Sequence, residues 1–334
     1  MAEAAATRHP PAAQAWAQVV PPGPAVVSTR LPTAKKAVED PLASRLVIEA
    51  IKGEVFQDGY VQIDETPVKY QDPQREGVCG TGYLWSVFNP VRGIHFMAWH
   101  TGRGAACLEQ IMPQGFTGII QCDGYSAYSS FIHTPGRKGH IQLAGCLAHA
   151  RRKFFEAREE SEDARWVLAQ MQQLYRIEAK LREARAGPLQ VRVARQAQST
   201  PILEAIHARL QSLQQSRRHL PRSLTGAAIS YALGQWEKLC VHLRDGRVQV
   251  DNNLVENSIR PSAIGRKNWL FMGDAQSGHR AFGHAQRLGQ LVGHFGHVGG
   301  FEFFHRHQEV GLFARHVLAV VVGREMQGEG FAFT

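Results

Sequence analysis

Apolar and polar residues alternate at period two over Tyr60-Val-Gln-Ile-Asp64, which predicts a strand with one covered face. Gly82-Tyr-Leu-Trp-Ser-Val-Phe88 and Ile94-His-Phe-Met-Ala-Trp99 are β-rich, and the turn at Arg92-Gly93 between them predicts a hairpin. A short helix is expected over Ala105 to Ile111. Gly118-Ile-Ile-Gln-Cys122 then reads as a buried strand ending at Asp123-Gly124, and Ile141 to Ala144 as a further strand. A basic helix follows from about Cys146 toward the Glu-rich segment near residue 160. Between about 163 and 243 the period becomes helical, with Leu168, Met171, Leu174 and Leu181 in one segment and Ile202, Ile206, Leu210 and Leu213 in the next. Gly187-Pro188 ends the first, Pro201 suits the first position of the second, and Ser223 is the candidate N-cap of a third helix carrying Leu224, Tyr231, Trp236 and Leu239.

This order predicts an α/β protein with a mixed sheet, interrupted by an all-helical block. The boundaries expected are a flexible Ala/Pro-rich tail over 1–45, a first part of the α/β domain over 46–162 and a helical insertion over 163–243. The last part of that domain follows over 244–278, and an atypical segment over 279–334. At 334 residues and 44% hydrophobic content the chain can bury a sizeable core. It carries no run of 18 apolar residues and no compact apolar leader, so the expectation is a cytoplasmic protein without a membrane partner. Five widely spaced cysteines without a Cys-x-x-Cys pair argue against a disulfide framework. A formal charge of +9 favours a polyanionic partner, because cations that neutralise phosphates release condensed counterions.

Three carboxylates carry the candidate chemistry. Asp64 lies on or just past the first strand, within Ile63-Asp-Glu-Thr66, and Asp123 ends the fourth, where Gly124 is expected to free the backbone to turn. In open α/β sheets ligands gather at the carboxyl ends of strands, so two such aspartates are placed to share Mg²⁺. Asp251-Asn-Asn-Leu-Val-Glu256-Asn-Ser-Ile-Arg260 predicts a helix capped by Asp251, with Asn252, Glu256 and Arg260 recurring every four residues on one face. Clustered carboxylates resist joint ionisation, a conflict that metal removes. Taken singly, Asp before Gly is equally an ordinary turn residue, and Asp-Asn-Asn an ordinary helix cap. Glu65 is read as a solvated strand position rather than a group supporting Asp64.

His149-Ala-Arg151-Arg152-Lys153 places three cations at a helix start, where they oppose the helix dipole, so phosphate contact is the better reason for them. Arg260, Arg266 and Lys267 flank Glu256 in the same way, and Trp269 suits either a core position or a stacked base. Cys146 and His149 stand three apart, a spacing that suits metal or a structural pair. No second Cys/His pair lies at a matching distance, so a closed zinc site is not expected and packing beside the site is the reading adopted.

Six blocks in order are Ile63-Asp-Glu-Thr-Pro67, Gly82-Tyr-Leu-Trp85, Cys122-Asp-Gly-Tyr125, Ala144-Gly-Cys-Leu-Ala-His-Ala-Arg-Arg-Lys-Phe154, Asp251-Asn-Asn-Leu-Val-Glu256 and Gly265-Arg-Lys-Asn-Trp-Leu-Phe271. Together they resemble the insertion sequence 66 family of bacterial transposases. The resemblance implies a ribonuclease-H-like catalytic domain with Asp64, Asp123 and Glu256 as its catalytic, metal-binding residues and Mg²⁺ or Mn²⁺ as cofactor. It implies DNA as the partner, both transposon ends and target, together with a homo-oligomeric active complex and accessory insertion-sequence proteins near the bacterial nucleoid. Arg151, Arg152, Lys153, Arg260, Arg266 and Lys267 are the expected DNA contacts. Family members carry DNA-binding and dimerising segments where this chain has its Ala/Pro-rich tail, and the family's closing helix is not recognisable after Gly278. The expectation is therefore that both ends are out-of-frame translations around an intact central domain. On that expectation the chain is either an active transposase or a relic that only binds DNA.

Overall fold

The computed structural model describes residues 41–72 and 77–265, with side chains described over 48–72 and 77–260. Helix α1 (Pro41–Val55) begins inside the segment expected to be an unfolded tail; the remainder of that tail, and everything after Gly265, lies outside the described residues. Proline suits a first helical turn, where its missing N–H has no partner to lose. Ile48, Ile51 and Val55 recur at helical spacing and pack onto the sheet.

Five strands form one sheet: β1 (Tyr60–Gln71), β2 (Cys79–Asn89), β3 (Ile94–His100), β4 (Gly118–Gln121) and β5 (Ile141–Ala144), in the order β3-β2-β1-β4-β5. β1 pairs antiparallel with β2, and β2 with β3, which is the expected hairpin; β4 runs parallel to both β1 and β5. The sheet is mixed, as the element order predicts. β1 continues well past Asp64, because β2 lies alongside it as far as Gln71 opposite Cys79. The polar pair Asp64-Glu65 hides this continuation from a period-two reading.

One sheet face carries Val61, Ile63, Trp85, Val87, Ile120 and Leu143, covered by α1, α2 (Ala105–Ile111) and α3 (Ser126–Ile132). Sequence periodicity does not reveal α3, whose seven residues are mostly serine and aromatic. Its stripe of Ala127, Tyr128 and Phe131 becomes helical against this core.

A second core unites α4 (Leu147–Glu156), α5 (Glu162–Glu183), α7 (Thr200–Gln215), α8 (Leu224–Gly234) and α9 (Trp236–Leu239). Ser223 caps α8 as expected, accepting from Gly226 N at 3.1 Å. Pro201 does not begin a separate helix. α6 (Pro188–Ala194) passes through a π-helical turn, Arg195–Ser199, directly into α7. A proline inside a helix loses its own bond and crowds the carbonyl four residues back, and the wider π turn just before Pro201 accommodates both.

The π turn also aims Arg195 inward. Its guanidinium grips both Glu178 carboxylate oxygens at 2.8 Å and donates to the carbonyls of His242 (2.9 Å) and Val248 (2.8 Å). These bonds tie the helical block to the segment 244–252, which leads into α10 (Asn253–Gly265). Among the described residues no helix is long and apolar enough to cross a membrane.

Candidate active site

The face of β1 opposite the aliphatic core carries Tyr60 and Gln62, and that of β4 carries Gln121, all three fully buried. Buried amides need partners, and here the partners set the site. Gln121 Oε1 accepts from Tyr60 Oη at 2.6 Å and from Gln62 Nε2 at 2.9 Å, while its Nε2 donates to the carbonyls of Gly145 and Gln249 at 3.1 and 2.8 Å. Gln62 also donates to the Asp251 carbonyl at 3.0 Å and accepts from Val255 N at 3.2 Å. The start of α10 is thus fastened to the middle of the sheet, and a hydroxyl pair, Ser86 and Ser258 at 2.9 Å, fastens its next turn to β2.

Gln62 and Gln121 are direct neighbours in the parallel register, and each precedes an aspartate by two residues, Asp64 and Asp123. Side chains two apart on a strand share a face, so Asp64 projects from the face that α10 covers. Asp123 follows the end of β4, and its Oδ1 accepts from Tyr125 N at 2.9 Å, which fixes the turn. Gly124 is needed there for closeness rather than for an unusual backbone angle. A Cβ on Gly124 would lie 2.9 Å from the ring of Tyr231 on α8.

Desolvation, and then the charges of Glu65, Glu256 and Asp123, push the Asp64 carboxyl up to about 8. The structure thus brings Asp64 into the fields of both other candidate carboxylates. Asp251 caps α10 from one position further out than expected: its carboxylate accepts from Asn253 N at 3.2 Å, and Asn252 occupies the position next to the helix. The predicted face of α10 runs from the core outward, with Asn252 fully buried, Glu256 partly open and Arg260 exposed.

Glu65 is not solvated. Alternation turns it to the opposite face from Asp64, where its buried carboxylate accepts from Arg103 Nε at 2.6 Å and from Tyr128 Oη at 2.7 Å. The Arg103 guanidinium lies 4.0 Å from the centre of the Tyr125 ring, just after Asp123. Burial raises the Glu65 carboxyl, and the bonds from Tyr128 and Arg103 oppose that rise. Sequence periodicity gives no sign of this support, because both partners come from elements after the hairpin.

On the α10 side, Glu256 meets α4. Sγ of Cys146, a ring nitrogen of His149 and a carboxylate oxygen of Glu256 all lie within 4.8 Å of one another, and His149 Nδ1 stands 3.8 Å from Glu256 Oε1. Among the described residues it is the one group of three Cys, His, Asp or Glu side chains whose ligand atoms come this close; Asp64, Asp123 and Glu256 are not brought within that distance of one another. The spacing of Cys and His along the chain does not reveal it, since its third donor is a carboxylate from another helix. Cys146 directly precedes α4, where its sulfur accepts from Asn252 N at 3.4 Å. Burial pushes its thiol up to about 12.

Arg151 and Arg152 are exposed, and neither joins an ion pair among the described residues. Lys153 is half-buried, with its ammonium 4.8 Å from the centre of the Tyr231 ring, the ring that packs on Gly124. Arg266, Lys267 and Trp269 lie outside the described residues.

Residues 26–280 match the family model described as the IS66 family of transposases, which covers most of the chain. The chain belongs to the IS66 transposase family. Three similar relatives are the uncharacterized proteins y4qI, y4jD and y4hP of Sinorhizobium fredii (strain NBRC 101917 / NGR234). The first is 38% identical over 182 residues, 53% of this chain and 33% of the relative; the second is 36% identical over 167 residues, 49% and 32% respectively. The third is 29% identical over 260 residues, 70% of this chain and 45% of the relative. The chain thus spans less than half the length of these relatives. No solved structure matches it.

Proposed function

We propose that this member of the IS66 family is a DNA transposase with a ribonuclease-H-like catalytic domain, in which Asp64, Asp123 and Glu256 hold Mg²⁺ or Mn²⁺. The observation that carries the proposal is the docking of α10, the helix of Glu256, on the sheet face from which Asp64 projects, fastened there by Gln62 next to Gln121, each two residues before a candidate aspartate. A five-stranded mixed sheet with helices on both faces supports the same reading. Three carboxylates from two strands and a helix suit a hard divalent ion, which prefers oxygen ligands and retains positions for phosphate oxygens. Asp64, Asp123 and Glu256 would hold such ions, which would supply Lewis-acid stabilisation of the attacking and leaving oxygens in phosphodiester cleavage and joining.

The chain's own residues supply placement. The Gln62 and Gln121 pair holds the two strands and the start of α10 in fixed relation, so the carboxylates do not have to be ordered during the reaction. Exposed Arg151, Arg152 and Arg260, with Lys153, supply cations for the DNA backbone, and Arg266 and Lys267 are proposed from the sequence as further contacts. On this reading the partners are transposon ends and target DNA, further copies of this chain, and accessory insertion-sequence proteins in the bacterial cytoplasm.

The test is incubation of the purified chain, with Mg²⁺ or Mn²⁺, on labelled DNA carrying the terminal repeats that flank its gene, beside a Glu256→Gln variant. End cleavage by the parent and none by the variant is expected. Binding without cleavage by a folded parent would replace this reading with that of a DNA-binding relic.

A further inference from the structure

The Cys146, His149 and Glu256 cluster has donor chemistry unlike that of the aspartates. Cys146 is 2% exposed and directly precedes α4, His149 lies in the first turn of that helix, and Glu256 reaches across from α10. His149 Nδ1 and Glu256 Oε1 are both buried atoms, and neither has a hydrogen-bond partner among the described residues. One turn before Glu256, the fully buried Asn252 is in the same state at both amide atoms. Native interiors seldom leave buried polar atoms unmatched, and His149 Nδ1 and Glu256 Oε1, 3.8 Å apart beside the Cys146 sulfur, call for a ligand.

We propose that Cys146, His149 and Glu256 form a binding site for a borderline-soft divalent cation of the Zn²⁺ class. Thiolate and imidazole select such ions over Mg²⁺, and one carboxylate completes a three-ligand set that leaves a fourth position open. In a tetrahedral site with bonds of about 2.0–2.3 Å, neighbouring ligand atoms stand roughly 3.3–3.6 Å apart. The separation of 3.8 Å between His149 and Glu256 needs only a small contraction to reach that value. Binding requires the thiolate, so the Cys146 proton is released to solvent as the metal–sulfur bond forms. The site shares Glu256 with the proposed catalytic set but does not depend on it, and cation binding can be read without DNA.

The test is a titration of the full chain, freed of metal by chelator and dialysed, with Co²⁺ as a spectroscopic stand-in for Zn²⁺. The expected result is a thiolate-to-cobalt charge-transfer band in the near ultraviolet and intense visible bands of a four-coordinate ion. Both should be abolished by excess Zn²⁺ and unaffected by Mg²⁺. Cys146→Ser should remove the charge-transfer band, whereas Cys79→Ser, at an exposed cysteine, should leave it. Because a buried serine at 146 can compromise folding, His149→Gln and Glu256→Gln provide the second arm, each weakening Co²⁺ binding by about tenfold or more with an unchanged circular dichroism spectrum. Absence of the band at saturating Co²⁺, its survival in Cys146→Ser, or unchanged affinity in both second-arm variants would overturn the proposal. Each of those results would leave the cleavage assay, and the reading of Asp64 and Asp123, untouched.

Discussion

Gln62 donates to Gln121 at 2.9 Å across two parallel strands, and each glutamine stands two residues before an aspartate of the candidate site. The same Gln62 side chain accepts from Val255 N and donates to the Asp251 carbonyl, so a single amide links both strands to the start of the helix that carries Glu256. The distance between the aspartates and Glu256 is therefore governed from beneath the site.

Replacing Gln62 with leucine leaves the buried Asp251 carbonyl without this donor, and Val255 N with only its bond to the Asn252 carbonyl at 3.1 Å. We expect a stability loss of about 2–4 kcal/mol in urea unfolding, with DNA-end cleavage lost alongside it. A loss below about 1 kcal/mol would show that α10 docks by other means.

Gly124 touches the Tyr231 ring so closely that an added Cβ would lie 2.9 Å from it. Gly124→Ala should therefore push Tyr231 or the Asp123 turn aside, costing about 1–3 kcal/mol and slowing cleavage. Pairing it with Tyr231→Leu should recover part of the stability. Thermal melts of the single and double variants decide the matter, and a Gly124→Ala protein as stable as the parent would show that α8 yields freely.

His242 is buried, and its Nδ1 donates to the Leu239 carbonyl at 2.7 Å. Burial first, and then the Arg195 charge, depress the imidazole from 6.5 to about 4. The unfolded chain therefore binds the extra proton between these values, so stability is complete above about pH 6.5 and falls as the pH drops toward 4. At pH 5 the penalty is about 2 kcal/mol. His242→Asn keeps a donor for Leu239 but does not titrate, so the difference between parent and variant in urea midpoint should narrow or reverse from pH 7 to pH 5. A pH-independent difference would remove His242 from the account.

Local patterns determined much of this protein. Alternation marked the start of β1, β-rich and apolar runs marked the hairpin, β4 and β5, and helical spacing marked the helices after residue 163, because these signals depend only on which face of an element is covered. The six blocks nominated Asp64, Asp123 and Glu256 without showing how they are held. Only the tertiary structure decided what covers each face. It turned Glu65 inward onto Arg103 and Tyr128, stretched β1 past Asp64, carried one helix through a π turn in front of Pro201, and set Cys146 and His149 against Glu256. Each of these depends on partners distant in sequence, and burial becomes favourable for a polar side chain only when such a partner arrives to satisfy it.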